Sequence, residues 1–182
     1  MLERLSYPTW SISSIGTVII KTLYLGGMAS MNMHYIHDIN GASYQMMLEH
    51  LGKECDYFSL VEPIIDSVDF PEEIPPTKAS LLEFLMKKNR VTSWPGTKIK
   101  VAKESKKAVE HIFKCCKSSL CKLYDKDSFY DIEYQMDIAF FKDNQCILFT
   151  ISHERIMMAD LDFWGDFFNK VNAKTLKANN FD

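Results

Sequence analysis

The sequence predicts an α+β fold, in which an antiparallel β-sheet, laid down as a C-terminal meander, is covered by amphipathic helices. Three observations predict it. The run from Leu123 to Glu154 reads as a β-hairpin, with Met136, Ile138 and Phe140 on one face of its first strand and Ile147, Phe149, Ile151 and His153 on one face of its second. Segments of helical periodicity stand before and after it. No regular strand–helix–strand alternation is present, which argues against a parallel sheet.

Taken in order, residues 1–30 read as a leader or non-core extension. Met28, Met31 and Met33 follow it closely, so translation starting further downstream is an expectation here. The stretch 10–29 is apolar, but Lys21 and several Ser and Thr residues interrupt it. It falls short of the roughly 20 apolar residues of a membrane span and of the uniform core of a secretory signal. Residues 31–182 read as one α+β domain.

Met33–Ile39 is a short first strand, and Asn40-Gly41 is a turn. Tyr44, Met47, Leu48 and Leu51 mark a helix, with Gly52 placed to end it. Tyr57–Val61 is a strand. Thr77 can cap a helix through Lys88, with Leu81, Leu82 and Leu85 facing inward. Trp94-Pro95-Gly96-Thr97 is a turn with an aromatic anchor. Ile99 and Val101 alternate with lysines as an edge strand does. Val109, Ile112, Phe113, Cys116 and Leu120 follow the rhythm of a packed amphipathic helix. Beyond the hairpin, Ile156–Ala159 is a third strand of the meander. Asp160 then caps a helix carrying Leu161, Trp164, Phe167, Phe168 and Val171. The polar tail from Ala173 is expected to fray.

Composition narrows the function classes. The chain has 182 residues, 47% of them hydrophobic and 25% charged, as an ordinary folded protein does, and its 13% aromatic content is on the high side, suiting a core or an aromatic-rich contact surface. A net charge of −3 gives no global basic field for nucleic acid. Cys55, Cys115, Cys116, Cys121 and Cys146 are odd in number and lack framework spacing, which favours free thiols and a cytoplasmic location.

Charge is segregated along the chain. Seven acids and no base occupy 54–73, among them Glu62, Asp66, Asp69, Glu72 and Glu73. Seven lysines against three acids occupy 103–126. Such runs ordinarily form solvated faces. The acidic run can also dock on a basic partner protein, which makes those five acids, together with Trp94, the partner-binding candidates.

Catalytic signals are sparse. His153 and Glu154 are adjacent and can serve acid–base chemistry, since an imidazole titrates near neutrality. Successive strand residues point to opposite faces, so the pair cooperates only if the backbone turns there. Arg155 follows, and the three read more simply as a solvated turn. His34 and His37 fall on opposite faces of a strand, and the pair His111 and Cys115 lacks further ligands, so no metal is expected. His50, in the last turn of its helix, suits a positive charge at the dipole's end. Phosphate-loop, nucleophile-elbow and HExxH patterns are absent, and no cofactor is implied.

WPGT at Trp94–Thr97, LYD at Leu123–Asp125, DIAFF at Asp137–Phe141 and ISHE at Ile151–Glu154 together resemble, over about the second half of the chain, a set of small bacterial proteins with these motifs in this order. No activity is known for that set. The resemblance implies a bacterial cytosolic protein and singles out Trp94 and His153. Separately, the small size, the acidic patch, the aromatic content and the absence of a catalytic signature lead to the expectation of a non-enzymatic interaction protein, an immunity- or antitoxin-like partner binder. The alternative is a small enzyme using His153 and Glu154, with a carboxylate such as Asp137.

Overall fold

The computed structural model describes residues 32–37, 39–63, 74–96 and 108–177. Twelve principal elements follow in chain order: β1 (Met33–His37), α1 (Gly41–Glu54), β2 (Tyr57–Pro63), α2 (Pro76–Leu81), β3 (Leu85–Val91), β4 (Ala108–Lys114), α3 (Lys117–Leu120), β5 (Asp137–Lys142), β6 (Gln145–Ile151), β7 (Ile156–Asp160), α4 (Leu161–Lys170) and β8 (Lys174–Lys177). The strands form one eight-stranded sheet in the order β3-β4-β2-β5-β6-β7-β1-β8. Every pairing is antiparallel. The fold is α+β, as the sequence predicts.

The hairpin forms in the expected place. Asp143 and Asn144, both at positive φ, make a two-residue turn that matches the twist of β5 and β6. Phe58, Leu60, Phe113, Ile138, Phe140 and Leu148 face one side of the sheet. There they meet Tyr44, Met47, Leu48 and Leu51 of α1 and Trp164 and Phe168 of α4 in the main core. A second cluster on the other side contains Ala139, Phe141, Cys146, Phe149, Ile151 and Met158. The central strands are therefore buried on both faces.

Local chemistry sets the helix ends. The Ser43 hydroxyl accepts from the Asn40 N–H at 3.2 Å and donates to the Asn40 carbonyl at 2.8 Å, which opens α1. Asp160 caps α4 by accepting from the Asp162 N–H at 3.1 Å. Gly52 does not end α1, which runs on to Glu54. A side chain at Gly52 would meet the Lys117 backbone at 3.4 Å, so its role is close approach of α1 to α3.

Four other expectations are corrected. The helix expected from Thr77 to Lys88 stops after Leu81, passes through a 3-10 turn at Leu82–Phe84 and becomes β3. The helix expected over Val109–Leu120 is β4 followed by the single turn of α3. Ala108, Glu110, His111 and Phe113 are all buried, so β4 is covered on both sides and loses the alternation that marks a strand. The tail does not fray at Ala173, because β8 pairs with β1 from His34 to His37. His153 lies beyond β6, in a 3-10 turn spanning Ser152–Glu154. The strand expected at Ile99 and Val101, and the segment 1–30, lie outside the described residues.

Trp164 pins α4 to the sheet. It is fully buried, donates from Nε1 to the Ile147 carbonyl at 3.0 Å, and stacks on Phe168 at 5.6 Å. Trp164→Ala is expected to destabilise the fold by about 3–5 kcal/mol in urea unfolding. Leu176→Ala, at the exposed β8 edge, is expected to stay within about 0.5 kcal/mol of wild type.

Candidate functional site

Three of the four motifs meet at one junction. Asp137 opens β5, and its carboxylate accepts from Trp94 Nε1 and from the Ser152 backbone N–H, each at 2.8 Å. Ser152 Oγ donates to the Met136 carbonyl at 2.8 Å and lies 3.2 Å from Thr150 Oγ1, which accepts from the Ile138 N–H. Gly96 has φ +89°, and a Cβ there would fall 2.8 Å from Ile151 and 2.9 Å from Phe149. Only glycine lets the Trp94–Gly96 turn lie this close to the second face. The fourth motif is built into the core, where the buried Leu123 offers its carbonyl to the Tyr44 hydroxyl at 3.2 Å.

Burial pushes the Asp137 carboxyl above its ordinary value, while the hydrogen bonds from Ser152 and Trp94 oppose that shift. Asp137 ties three chain segments together through filled hydrogen-bonding positions. Trp94, a partner-binding candidate in the sequence, spends its indole N–H on this tie.

His153 and Glu154 are 3.6 Å apart on the turn after β6, with side chains 60% and 52% exposed. Neither lines a cavity among those described. The next residue does. Arg155 has φ +53° and carries its guanidinium 5.2 Å over the Tyr130 ring, at the wall of a cleft of about 460 Å³. Asp127, Asp131, His37 and Met157 also line this cleft. Nothing in the sequence pattern brings Arg155 to Tyr130. The spacing of Asp127 and Asp131 around Ser128 was the available signal, since Ser128 caps a turn and donates to Asp131 at 2.8 Å.

Glu62 is placed inside an ion cluster. Lys78 Nζ lies 2.6 Å from its Oε2, and His111 Nε2 lies 3.4 Å from the same oxygen, out of line for a hydrogen bond. His111 is 2% exposed. The sequence pattern hid this cluster, because it joins α2 to β2 and β4 across long separations. Asp66, Asp69, Glu72 and Glu73 lie outside the described residues.

His34 and His37 do fall on opposite faces of β1, and His34 Nε2 contacts Asn32 at 3.0 Å. His111 lies in β4 and Cys115 just past its end, so extended chain rather than a helical turn separates the two. His50 is not a charged helix-end residue: burial lowers its pKa, and its ring stacks on Phe167 at 5.4 Å. Cys55, Cys115 and Cys146 are buried free thiols. Among the described residues, no three His, Cys, Asp or Glu side chains gather as metal ligands, and no helix is long and apolar enough to cross a membrane.

Comparison with protein-family models, with curated proteins and with solved structures returned no match.

Two measurements check these assignments. Asp137→Leu leaves the Trp94 and Ser152 N–H groups without their acceptor and is expected to cost about 2–4 kcal/mol, whereas His153→Ala is expected to cost under about 0.5 kcal/mol. Equal costs in urea unfolding would contradict the assignment. The second concerns pH. Burial, with Lys78 and Lys88 nearby, lowers the His111 pKa below its ordinary 6.5, against the pull of Glu62. Below that ordinary value the unfolded chain binds a proton that the folded chain resists, so stability falls as pH drops from 6.5 toward the depressed pKa. His111→Phe is expected to lose less stability between neutral and mildly acidic pH than wild type does. An identical loss would show that His111 does not titrate this way.

Proposed function

We propose that this chain is a protein-interaction module that receives an extended, acidic segment of a partner along the edge strand β3. The observation that carries this reading is the surface of that strand. Of the seven exposed large hydrophobic side chains among the described residues, Leu85 and Met86 lie in β3, Leu82 lies in the turn before it and Ile74 precedes α2; Met86 is 62% exposed. Lys87, Lys88 and Arg90 stand on the same strand and make no ion pair among the described residues.

Among the described residues β3 pairs only with β4, so this seven-residue strand offers backbone N–H and C=O groups on its other side for strand addition. Natural edges are ordinarily kept short or guarded by charge, and β8 at the opposite edge is four residues long with Lys174 and Lys177 at its ends. β3 is longer and combines such cations with exposed apolar side chains. Backbone pairing would supply affinity, the apolar side chains contact area, and the cations a preference for acidic partners.

An immunity- or antitoxin-type role fits this reading, since such a protein works by covering its partner. The competing reading, acid–base catalysis by His153 and Glu154, has less support, because that pair stands on an exposed turn and Arg155 alone of its neighbours reaches the cleft.

Selection of random peptides displayed against the immobilised protein tests the proposal. The expected outcome is enrichment of acidic sequences with alternating apolar residues. Their binding should weaken at least about tenfold on Met86→Asp combined with Lys88→Glu, and should fall with added salt. Enrichment of basic sequences, or binding unchanged by that double substitution in a folded variant, would overturn it.

A further inference from the structure

We propose that the cleft beside Arg155 is a binding site for a small zwitterion of the amino acid or dipeptide class. Its accessible lining is mainly polar, with the buried Ile36, Ile39 and Met157 behind it. Its volume, about 460 Å³, lies within the range of small-molecule sites. Asp127, Asp131 and Arg155 all line it.

The charges are arranged for a guest. Neither carboxylate makes an ion pair with Arg155 among the described residues, although all three line one cavity. Opposite charges that share a cleft without pairing leave both ends open to a molecule that carries one charge of each sign. Stacking over Tyr130 holds the guanidinium in place, which lowers the cost of ordering it when a carboxylate arrives. Asp127, together with the Asp131 oxygen that does not accept from Ser128, can accept from an ammonium group.

The backbone at Arg155 adds an independent argument. Its φ of +53° is a conformation that glycine or asparagine adopts with less strain, and its N–H closes the turn by donating to the Ser152 carbonyl at 3.1 Å. A turn that needs only its shape would be better served by either of those residues. An arginine there is explained by what its side chain does over Tyr130 and in the cleft.

Titration calorimetry with L-leucine and L-leucyl-L-leucine, on the full chain, tests the site. Saturable binding of at least one is expected. Masking either end, as N-acetyl-leucine or leucinamide for the first probe and the N-acetyl or amide form for the second, should weaken it at least about tenfold, because each removes one charge-assisted contact. Arg155→Asn keeps the turn geometry and is expected to weaken binding of the free compounds while the melting temperature holds; Asp127→Asn should weaken it through the ammonium end. Absence of saturable binding at millimolar concentration overturns the proposal. So does equal binding of a singly charged analogue, which would mark a site for a chain terminus, and so does undiminished binding by the Arg155→Asn variant.

Discussion

Burial of the central strands on both faces is the constraint from which the rest follows. Phe58, Phe140 and Leu148 pack under the helices, while Ala139, Phe141, Phe149 and Ile151 form the opposite cluster. Each apolar side chain removed from water contributes roughly 1.5–3 kcal/mol. The same burial makes every polar group at that depth costly unless it is bonded. Asp137, Thr150 and Ser152 meet that demand through one network, and its outermost member is the Trp94 indole. The turn at Trp94–Gly96 is thus held to the sheet by the hydrogen bond from Trp94 to the Asp137 carboxylate and by a glycine that permits contact.

Legibility in the sequence tracked this constraint. The β5–β6 hairpin could be read because Asp143 and Asn144 signal a two-residue turn between apolar runs. α1 and α4 could be read because each has one wet face and one dry face. β4 could not, because burial on both sides turns Val109, Ile112 and Phe113 into a pattern that a helix fits equally well. β3 was masked in a different way. Leu81, Leu82 and Leu85 keep helical spacing across a junction where helix becomes strand, and the exposed cations beyond it are neutral between the two.

The candidate sites were legible as residues and not as geometry. Trp94, Asp137 and His153 could be marked from short motifs, but only folding shows that Trp94 bonds Asp137 across 43 positions and that His153 stands clear of it. Arg155 passed as part of a solvated turn because no local pattern encodes its positive φ or its approach to Tyr130. The Glu62–Lys78–His111 cluster depends on contacts between α2, β2 and β4, which periodicity does not carry. Once the interior chemistry is assigned to holding the fold, two features remain for binding: the cationic, apolar edge of β3 and the cleft under Arg155. They lie on separate elements and are read by separate experiments.

Residue-resolved amide hydrogen exchange tests the central claim most directly. If burial on both faces organises the molecule, the amides of β2, β5 and β6 exchange slowest, β4 is protected along both of its ladders as far as Lys114 with a gap in the first turn of α3, and the outward amides of β3 exchange rapidly. Uniform helix-like protection running from Ala108 through Leu120, or β3 amides protected on both sides, would contradict it.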